Sequence, residues 1–253
     1  MAIPIIKVSN LIKKYESLTA VNGISFEVYP GEIFGLLGPN GAGKTTTLEI
    51  METLRDKTSG EVSVCGFSID QNPSEIKKCI GVQLQAAGYY PSLTLLELID
   101  LFAGLYNMDV DAFNILDMVG LTEKAKAKYK ELSGGQKQRF SIATTLINNP
   151  KVVFLDEPTT GLDPQARRNL WDLIRAVRSK GTTVMLTTHY MDEAENLCDR
   201  VGVIEKGKII AIDTPDNLID DLVKSGFERK KEVKKATLED VFLQLTGLEW
   251  RDQ

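Results

Sequence analysis

The chain has 253 residues, of which 43% are hydrophobic and 26% are charged, an ordinary composition for a globular protein with a sizeable core. A formal net charge of -5 gives no general attraction to nucleic acid, so no nucleic-acid partner is expected. No apolar run approaches the ~20 residues of a membrane span, and the N-terminus lacks a basic-then-apolar signal, which predicts a cytoplasmic protein.

The first predicted elements are strands at residues 3–8 and 21–28, joined by a turn-rich segment at residues 13–17. Tyr15 is the one aromatic residue in that connection. An aromatic side chain here, upstream of the glycine-rich loop described next, is able to stack on an adenine ring. A surface tyrosine that covers the sheet edge is the alternative, and the residues alone favour it.

The stretch at residues 38–46, GPNGAGKTT, matches the phosphate-binding pattern GxxxxGK(S/T). It follows an apolar run at residues 33–37 that predicts a buried strand, and it precedes a predicted helix at residues 47–52. The glycines let backbone N–H groups approach an anion, and the helix N-terminus adds its positive dipole end. Lys44 supplies a cation for the β- and γ-phosphates, and Thr45 offers a hydroxyl to Mg²⁺. We therefore predict a nucleoside triphosphate site formed by Gly38, Asn40, Gly41, Ala42, Gly43, Lys44, Thr45 and Thr46.

Two further strands are predicted at residues 60–64 and 80–84, and the second runs into Gln85. An amide at the carboxyl end of a strand is well placed to reach a metal or a water, although an ordinary loop glutamine is the alternative. From residue 93 to residue 127, apolar side chains keep helix spacing and interrupt the alternation of strands and helices. This block predicts a separate helical lobe.

The lobe ends in LSGGQKQR at residues 132–139, where Ser133 predicts a helix N-cap. The two glycines after it leave the first N–H donors of the helix uncovered for an anion. Because Lys44 already marks a complete phosphate site in this chain, the second anion site needs a different phosphate. The simplest solution is the γ-phosphate of a nucleotide held by another copy of the domain.

An apolar run at residues 152–155 ends in Asp156 and Glu157. An acid at a strand end beside the phosphate loop is able to hold Mg²⁺, and Asp156 fits that role. Glu157 is then free to orient and deprotonate the attacking water, with two solvated acids in a turn as the weaker alternative. His189, the only histidine, ends a predicted strand at residues 182–188. A lone histidine is more often structural, but a neutral imidazole there is able to donate to a γ-phosphate.

Over almost its whole length, the chain resembles the nucleotide-binding subunit of an ATP-binding cassette (ABC) transporter. In chain order, the resemblance is carried by the Walker A-like GPNGAGKTT, the signature-like LSGGQKQR, the Walker B-like VVFLDEP and the D-loop-like GLDP. Gln85 resembles the family's Q-loop glutamine, His189 its switch histidine and Tyr15 its adenine-stacking aromatic. The stretches IGVQLQ and TTHYMDEAENLCDRVGVIEKGKIIAIDTP are similar to the drug- and antibiotic-efflux exporter branch.

The resemblance implies an α/β fold, a P-loop NTPase core with an N-terminal antiparallel β patch and an inserted α-helical lobe. The expected boundaries are a core at residues 1–90 and 145–222, a lobe at residues 91–144 and a short C-terminal extension at residues 223–253. The implied cofactors are ATP and Mg²⁺. The implied catalytic residues are Glu157, His189 and Gln85, and the implied metal ligands are Thr45, Gln85 and Asp156. The implied nucleotide contacts outside the phosphate loop are Tyr15, Val21, Ser133, Gly134, Gly135, Gln136 and Asp163.

The function implied is an ATP-hydrolysing subunit that dimerises on ATP, as a homodimer or with a paired ABC subunit. An integral membrane permease would convert closure into transport and hold the chain on the inner face of the cell membrane. Tyr89 and Tyr90 are expected to be exposed and to anchor that permease, with packing of the lobe as the alternative.

Two alternative functions fit the sequence less well. A soluble ABC ATPase not coupled to transport usually needs a coiled-coil insertion or a second cassette, and neither fits this chain. A P-loop GTPase would need a guanine-reading (N/T)KxD segment, which is absent from the sequence. The stretch at residues 217–235 is shorter than is usual in the exporter branch and leaves room for a short helix and a basic run.

Overall fold

The computed structural model describes residues 3–83 and 88–227, and the strands and helices within them form two sheets with flanking helices. The strands are β1 (Ile6–Tyr15), β2 (Leu18–Val28), β3 (Ile33–Leu37), β4 (Ser59–Val64), β5 (Phe67–Ser68), β6 (Ile80–Gln83), β7 (Val152–Asp156), β8 (Thr183–Thr188), β9 (Arg200–Glu205) and β10 (Lys208–Asp213). The helices are α1 (Lys44–Met51), α2 (Pro73–Cys79), α3 (Leu95–Leu105), α4 (Ala112–Met118), α5 (Gly134–Thr145), α6 (Pro164–Ser179), α7 (Met191–Leu197) and α8 (Pro215–Lys224).

The larger sheet has the strand order β10-β9-β3-β8-β7-β6. Strands β9, β3, β8, β7 and β6 are parallel, and β10 pairs with β9 in the antiparallel sense. Every residue of β3, β7 and β8 is buried, as expected for parallel strands that are covered on both faces. The carboxyl ends of these three central strands meet at one edge, which is where parallel α/β sheets form their ligand sites.

The smaller sheet has the order β2-β1-β4-β5 and is antiparallel. It packs on the larger sheet through one hydrophobic core, in which the rings of Phe26 and Phe34 stack with centroids 5.5 Å apart. Helix α1 contributes Leu48, Ile50 and Met51 to the same core. The core therefore holds the helix that follows the phosphate loop between the two sheets.

The predicted boundaries of the first strand were wrong. Strand β1 continues to Tyr15, so the turn to β2 consists of Glu16 and Ser17 rather than of residues 13–17. Register shifts between Val8 and Leu11 and between Lys13 and Lys14 interrupt the pairing with β2. Such bulges break the alternation of apolar and polar side chains from which a strand is recognised.

The helical lobe contains α3, α4 and α5, as the predicted fold requires. Tyr89 packs inside it, with its ring centroid 4.7 Å from that of Tyr129 and 5.3 Å from that of Phe140. Its hydroxyl also lies 3.0 Å from Oγ1 of Thr144. These contacts leave Tyr89 half-buried, so the expectation that it is exposed was wrong, whereas its role as a partner anchor stays a prediction. Tyr90 is 65% exposed, as expected.

The chain divides into two compact units, Met1–Asn217 and Leu218–Gln253. The described part of the second unit is mostly helix α8, which provides the short helix predicted after residue 217. The predicted basic run lies outside the described residues. Across the part of the chain that the structure describes, each helix is too short or too polar to cross a bilayer.

Candidate active site

The phosphate loop joins the end of β3 to the start of α1. Gly43 is the N-cap of α1 with a φ of 102°, a left-handed conformation that favours glycine. A Cβ on Gly43 would also collide with the backbone oxygen of Ala20, and one on Gly38 would collide with that of Ile204. Because no side chain caps α1, the first N–H groups of this helix face the loop.

Lys44 is 4% exposed, and its ammonium group points into the phosphate loop. It donates to the carbonyl oxygens of Gly38 at 2.9 Å and Pro39 at 3.1 Å. Its Nζ also lies 3.3 Å from Oε1 of Glu157. The loop thus holds one buried cation against its own carbonyl oxygens, close to the N-terminus of α1, which suits a polyphosphate.

The two carboxylates at the end of β7 face this loop but have different partners. Asp156 is buried and accepts hydrogen bonds from the hydroxyls of Thr45, at 3.0 Å, and Thr187. Glu157 follows it in a left-handed conformation with a φ of 47°. Its N–H donates to Oγ1 of Thr187 at 3.0 Å. A strained non-glycine residue at such a position is typical of functional sites.

The Glu157 carboxylate lies between two nitrogen groups. Besides Lys44, Nδ1 of His189 lies 3.1 Å from Oε2 of Glu157. Burial raises the pKa of Glu157, but the nearby His189 imidazole and the Lys44 ammonium outweigh that, so the net pKa is lowered. Glu157 is therefore ionised at neutral pH, as a general base must be.

A cavity of about 610 Å³ opens at the phosphate loop, and Tyr15 is one of the residues that line it. Val21, Gly38 and Ala42 are buried and do not line this cavity. Three lining residues, Leu18, Ala20 and Arg55, were not predicted, because they belong to no recognisable motif. The lining residues are Tyr15, Leu18, Ala20, Asn40, Gly41, Gly43, Lys44, Thr45, Thr46, Arg55 and Glu157.

The second predicted anion site lies in a separate cavity of about 300 Å³. Ser133 is the N-cap of α5, as predicted, and forms a reciprocal capping box with Gln136. Asp163 caps α6 by accepting from the N–H of Ala166 at 2.8 Å. The structure therefore brings the signature-like and D-loop-like segments together. The predicted residues that line this cavity are Ser133, Gly134, Gly135, Gln136 and Asp163.

Gln85, predicted as a catalytic residue and a metal ligand, lies outside the described residues. Thr45 and Asp156, the other two predicted metal ligands, are in contact. Within residues 3–83 and 88–227, no group of three His, Cys, Asp or Glu side chains is arranged to hold a metal ion. One hydroxyl and one carboxylate suit Mg²⁺, which is usually held by few protein ligands together with water and substrate phosphates.

The fold and the site define a P-loop nucleotide-binding ATPase. The profile of the family described as "ABC transporter" matches residues 21–160, more than half of the chain. The chain belongs to the ABC transporter ATP-binding family.

Two relatives are named for export and for linearmycin resistance. The Nod factor export ATP-binding protein I of Burkholderia orbicola is 37% identical over 100% of both chains. The linearmycin resistance ATP-binding protein of Bacillus subtilis is 40% identical over 84% of this chain and 70% of its own.

Solved cassettes share the fold. An ABC transporter cassette in its ADP conformation superposes with a TM-score of 0.79 and 25% identity, over 88% of this chain and 96% of that one. A dimeric cassette in a post-hydrolysis state with ADP and Pi gives 0.74 and 28%, over 83% and 98%. Cassettes of this family therefore dimerise.

These findings confirm the predicted fold class and function. The chain is the ATP-binding and ATP-hydrolysing subunit of an exporter-type ABC transporter. The alternative of an ABC-type ATPase without a transporter is not favoured, because both relatives are named for export or drug resistance.

Proposed function

We propose that this subunit hydrolyses Mg-ATP with Glu157 as the general base. The observation that carries the proposal is the position of the Glu157 carboxylate, 3.3 Å from Lys44 Nζ and 3.1 Å from His189 Nδ1, beside the phosphate loop. One side chain is thereby held against both the cation for the phosphates and the imidazole at the end of β8. This arrangement suits a reaction at the γ-phosphate.

Thr45 and Asp156 are the residues that would hold Mg²⁺, and Gln85 is proposed as a further ligand. Bound there, the ion would neutralise charge on the β- and γ-phosphate oxygens. The contact of 3.0 Å between the Thr45 hydroxyl and the Asp156 carboxylate supports this pairing. The buried Thr187 hydroxyl also donates to Asp156 and fixes the orientation of that carboxylate.

The ion pair between Lys44 and Glu157 suggests how nucleotide binding prepares the base. A triphosphate in the loop competes for the Lys44 ammonium, because phosphate oxygens are strong charge-assisted acceptors. Glu157 is then free to accept a proton from the water whose oxygen attacks the γ-phosphorus. The bond from that phosphorus to the bridging oxygen breaks, and ADP keeps the electron pair. His189 keeps Glu157 in position and is able to donate to the γ-phosphate.

The signature-like segment is proposed to act on the nucleotide of a second cassette. Ser133 and Asp163 share a cavity that is separate from the one at Lys44, which supports a role in trans. Each nucleotide would then lie between the phosphate loop of one subunit and residues 133–136 of the other. The second cassette is another copy of this chain or a paired ABC subunit. Closure would move the lobe, residues 91–144, relative to the core at residues 1–90 and 145–222.

The closing motion would be transmitted to an integral membrane permease, so the subunit would lie in the cytoplasm against the inner face of the cell membrane. The segment from Gln85 to the start of α3 joins the catalytic edge to the lobe and is the proposed contact. Tyr90 is 65% exposed in this segment, and exposed aromatic residues are enriched at interface centres.

The test of this function is Glu157→Gln, which is nearly isosteric but cannot accept the proton. We expect ATP hydrolysis to fall by roughly 10²–10⁴-fold while ATP binding persists. With turnover blocked, Mg-ATP should accumulate a closed dimer, seen as a doubling of mass in light scattering. The same protein without Mg-ATP should remain at the lower mass.

The matched control is Glu195→Gln, which makes the same change on the exposed surface of α7 and should leave turnover unchanged. Near-normal hydrolysis by Glu157→Gln would remove Glu157 as the base and make His189 the next candidate. Slow hydrolysis without a change of mass would contradict the ATP-driven dimer.

A further inference from the structure

Arg55 lines the cavity at the phosphate loop and contacts two separate elements, helix α1 and strand β1. Its Nε lies 2.5 Å from Oε2 of Glu49, which is on helix α1. Its Cζ is 5.6 Å from the ring centroid of Tyr15, the last residue of β1. Arg55 also lines the cavity together with Tyr15. One guanidinium thus connects the helix that starts at Lys44 with an aromatic ring that lines the same cavity.

A strained turn after α1 brings Arg55 to the cavity. After α1, Thr53 has a φ of 60°, a left-handed conformation that is rare for a β-branched residue. The turn folds the chain back, so that the N–H groups of Leu54 and Arg55 donate to the Glu49 carbonyl at 2.9 Å and 3.2 Å. Glu49 therefore holds Arg55 by both its backbone and its side chain.

A surface ion pair is the simpler interpretation, because the Arg55 side chain is 38% exposed. Exposed ion pairs contribute little to stability, and that interpretation gives no reason for the contact with Tyr15. Lys13 also approaches this ring, with Nζ 4.9 Å from the centroid. Lys13 and Arg55 therefore both make cation–π contacts with the ring, and Tyr15 and Arg55 both line the cavity.

We propose that Arg55 is a positioning residue for the nucleotide base. Held by Glu49, it fixes the Tyr15 ring through a cation–π contact, so that adenine meets a preorganised surface. Because Glu49 and Lys44 are on the same helix, α1 sets the distance between the base end and the phosphate end. The inference rests on the adenine-stacking role that the family resemblance implies for Tyr15.

The experiment compares ATP with inorganic tripolyphosphate, which fills the phosphate loop but carries no base. Affinities for both are measured by calorimetry for the wild type, Arg55→Ala, Tyr15→Ala and the double variant. We expect Arg55→Ala to weaken ATP binding by roughly threefold to tenfold, with little effect on tripolyphosphate. In the Tyr15→Ala background, Arg55→Ala should have little further effect, because the two residues act as a unit.

Two further variants separate positioning from folding. Glu49→Gln removes the ion pair without touching the cavity and should reproduce part of the loss for ATP. Arg175→Ala, which removes a guanidinium paired with Asp172 on α6, should change neither affinity. Thermal unfolding of each variant shows whether α1 remains folded.

An equal loss for ATP and tripolyphosphate would overturn the proposal, since it would mean that Arg55 supports the helix rather than the base site. Losses that add in the double variant would overturn it as well, and so would an Arg55→Ala variant that binds ATP normally while Tyr15→Ala does not. Normal ATP binding by Tyr15→Ala would refute the stacking role of Tyr15 and the inference with it. None of these results would affect the hydrolysis proposal, which depends on Glu157.

Discussion

Two helices of this ATPase begin in glycine-rich segments, and their N-termini differ in what is left for a ligand. The N-cap of α1 is Gly43, which has no side chain to accept from the helix donors. The N-cap of α5 is Ser133, whose hydroxyl accepts from the N–H of Gln136 at 3.3 Å. The Gln136 side chain in turn accepts from the N–H of Ser133 at 2.9 Å. Helix α1 leaves its donors to a ligand, whereas α5 satisfies two of its own.

The distribution of charge sharpens the contrast. At α1, the cation of Lys44 is buried inside the phosphate loop. Near the start of α5, the guanidinium of Arg139 donates to the carbonyl oxygens of Val119 and Gly120 instead. Opening the cap of α5 for a phosphate would cost about 1 kcal/mol. We therefore infer that α1 binds phosphate on its own, and that α5 binds only a phosphate that another subunit already holds.

The largest expected effect on nucleotide binding comes from removing the Lys44 cation of the phosphate loop. Lys44→Ala should weaken ATP binding by roughly tenfold to a hundredfold, because a charge-assisted hydrogen bond contributes about 1.5–3 kcal/mol. Titration with a fluorescent ATP analogue measures this directly. Lys78→Ala, an exposed lysine paired with Glu75 on α2, is the control and should bind normally. Near-normal binding by Lys44→Ala would refute the assignment of the phosphate loop.

The phosphate loop was predictable from the sequence because its determinants are local. The spacing of Gly38, Gly43 and Lys44, between an apolar run and a helix, leaves few other structures. The buried strand that ends in Asp156 was predictable for the same reason. Continuous apolar runs are typical of parallel strands covered on both faces.

What the sequence did not predict depends on contacts between distant segments. Tyr89 looked like an exposed anchor, but its partners Tyr129 and Phe140 come from parts of the lobe that meet only in the fold. Arg55 reaches the cavity because the chain reverses at Thr53, which has a left-handed backbone conformation. No local sequence pattern predicts that conformation for a threonine. The bulges in β1 likewise follow from pairing with β2.

The next prediction tests whether α5 binds only the phosphate of a nucleotide that another subunit holds. Ser133→Asp keeps an N-cap of equal quality but places a negative charge where the other subunit's phosphate would lie. In the Glu157→Gln background, we expect ATP affinity of the monomer to be unchanged and the ATP-driven dimer to be lost. Light scattering with and without Mg-ATP distinguishes the two states.

Ser179→Asp, at the exposed end of α6, is the matched control and should still dimerise. Weaker ATP binding by the Ser133→Asp monomer would show that α5 serves its own subunit's nucleotide. A persistent dimer would show that Ser133 does not face a phosphate. Either result would contradict the inference that α1 binds phosphate on its own, whereas α5 binds only a phosphate that another subunit already holds.

The smallest effect on nucleotide binding is expected from Glu52, the C-cap residue of α1 behind the phosphate loop. Glu52 is 2% exposed, and burial, with the charges of Asp156 and Glu49, raises its pKa to about 8. The folded protein therefore keeps this proton up to about pH 8, whereas the unfolded chain loses it near pH 4.5. Stability must fall as pH rises through that window, at about 1.4 kcal/mol per pH unit at most.

Glu52→Gln cannot ionise, so it should remove this pH dependence while leaving ATP binding intact. Urea unfolding without nucleotide or metal should show the variant gaining on the order of 3 kcal/mol over the wild type between pH 5 and pH 8. Glu195→Gln, exposed on α7, should show no such gain. A stability difference that stays constant with pH would mean that Glu52 ionises normally in the folded protein. Helix α1 would then tolerate an ionised Glu52 carboxylate. The phosphate site would consist of Lys44 and its partners and would not depend on Glu52.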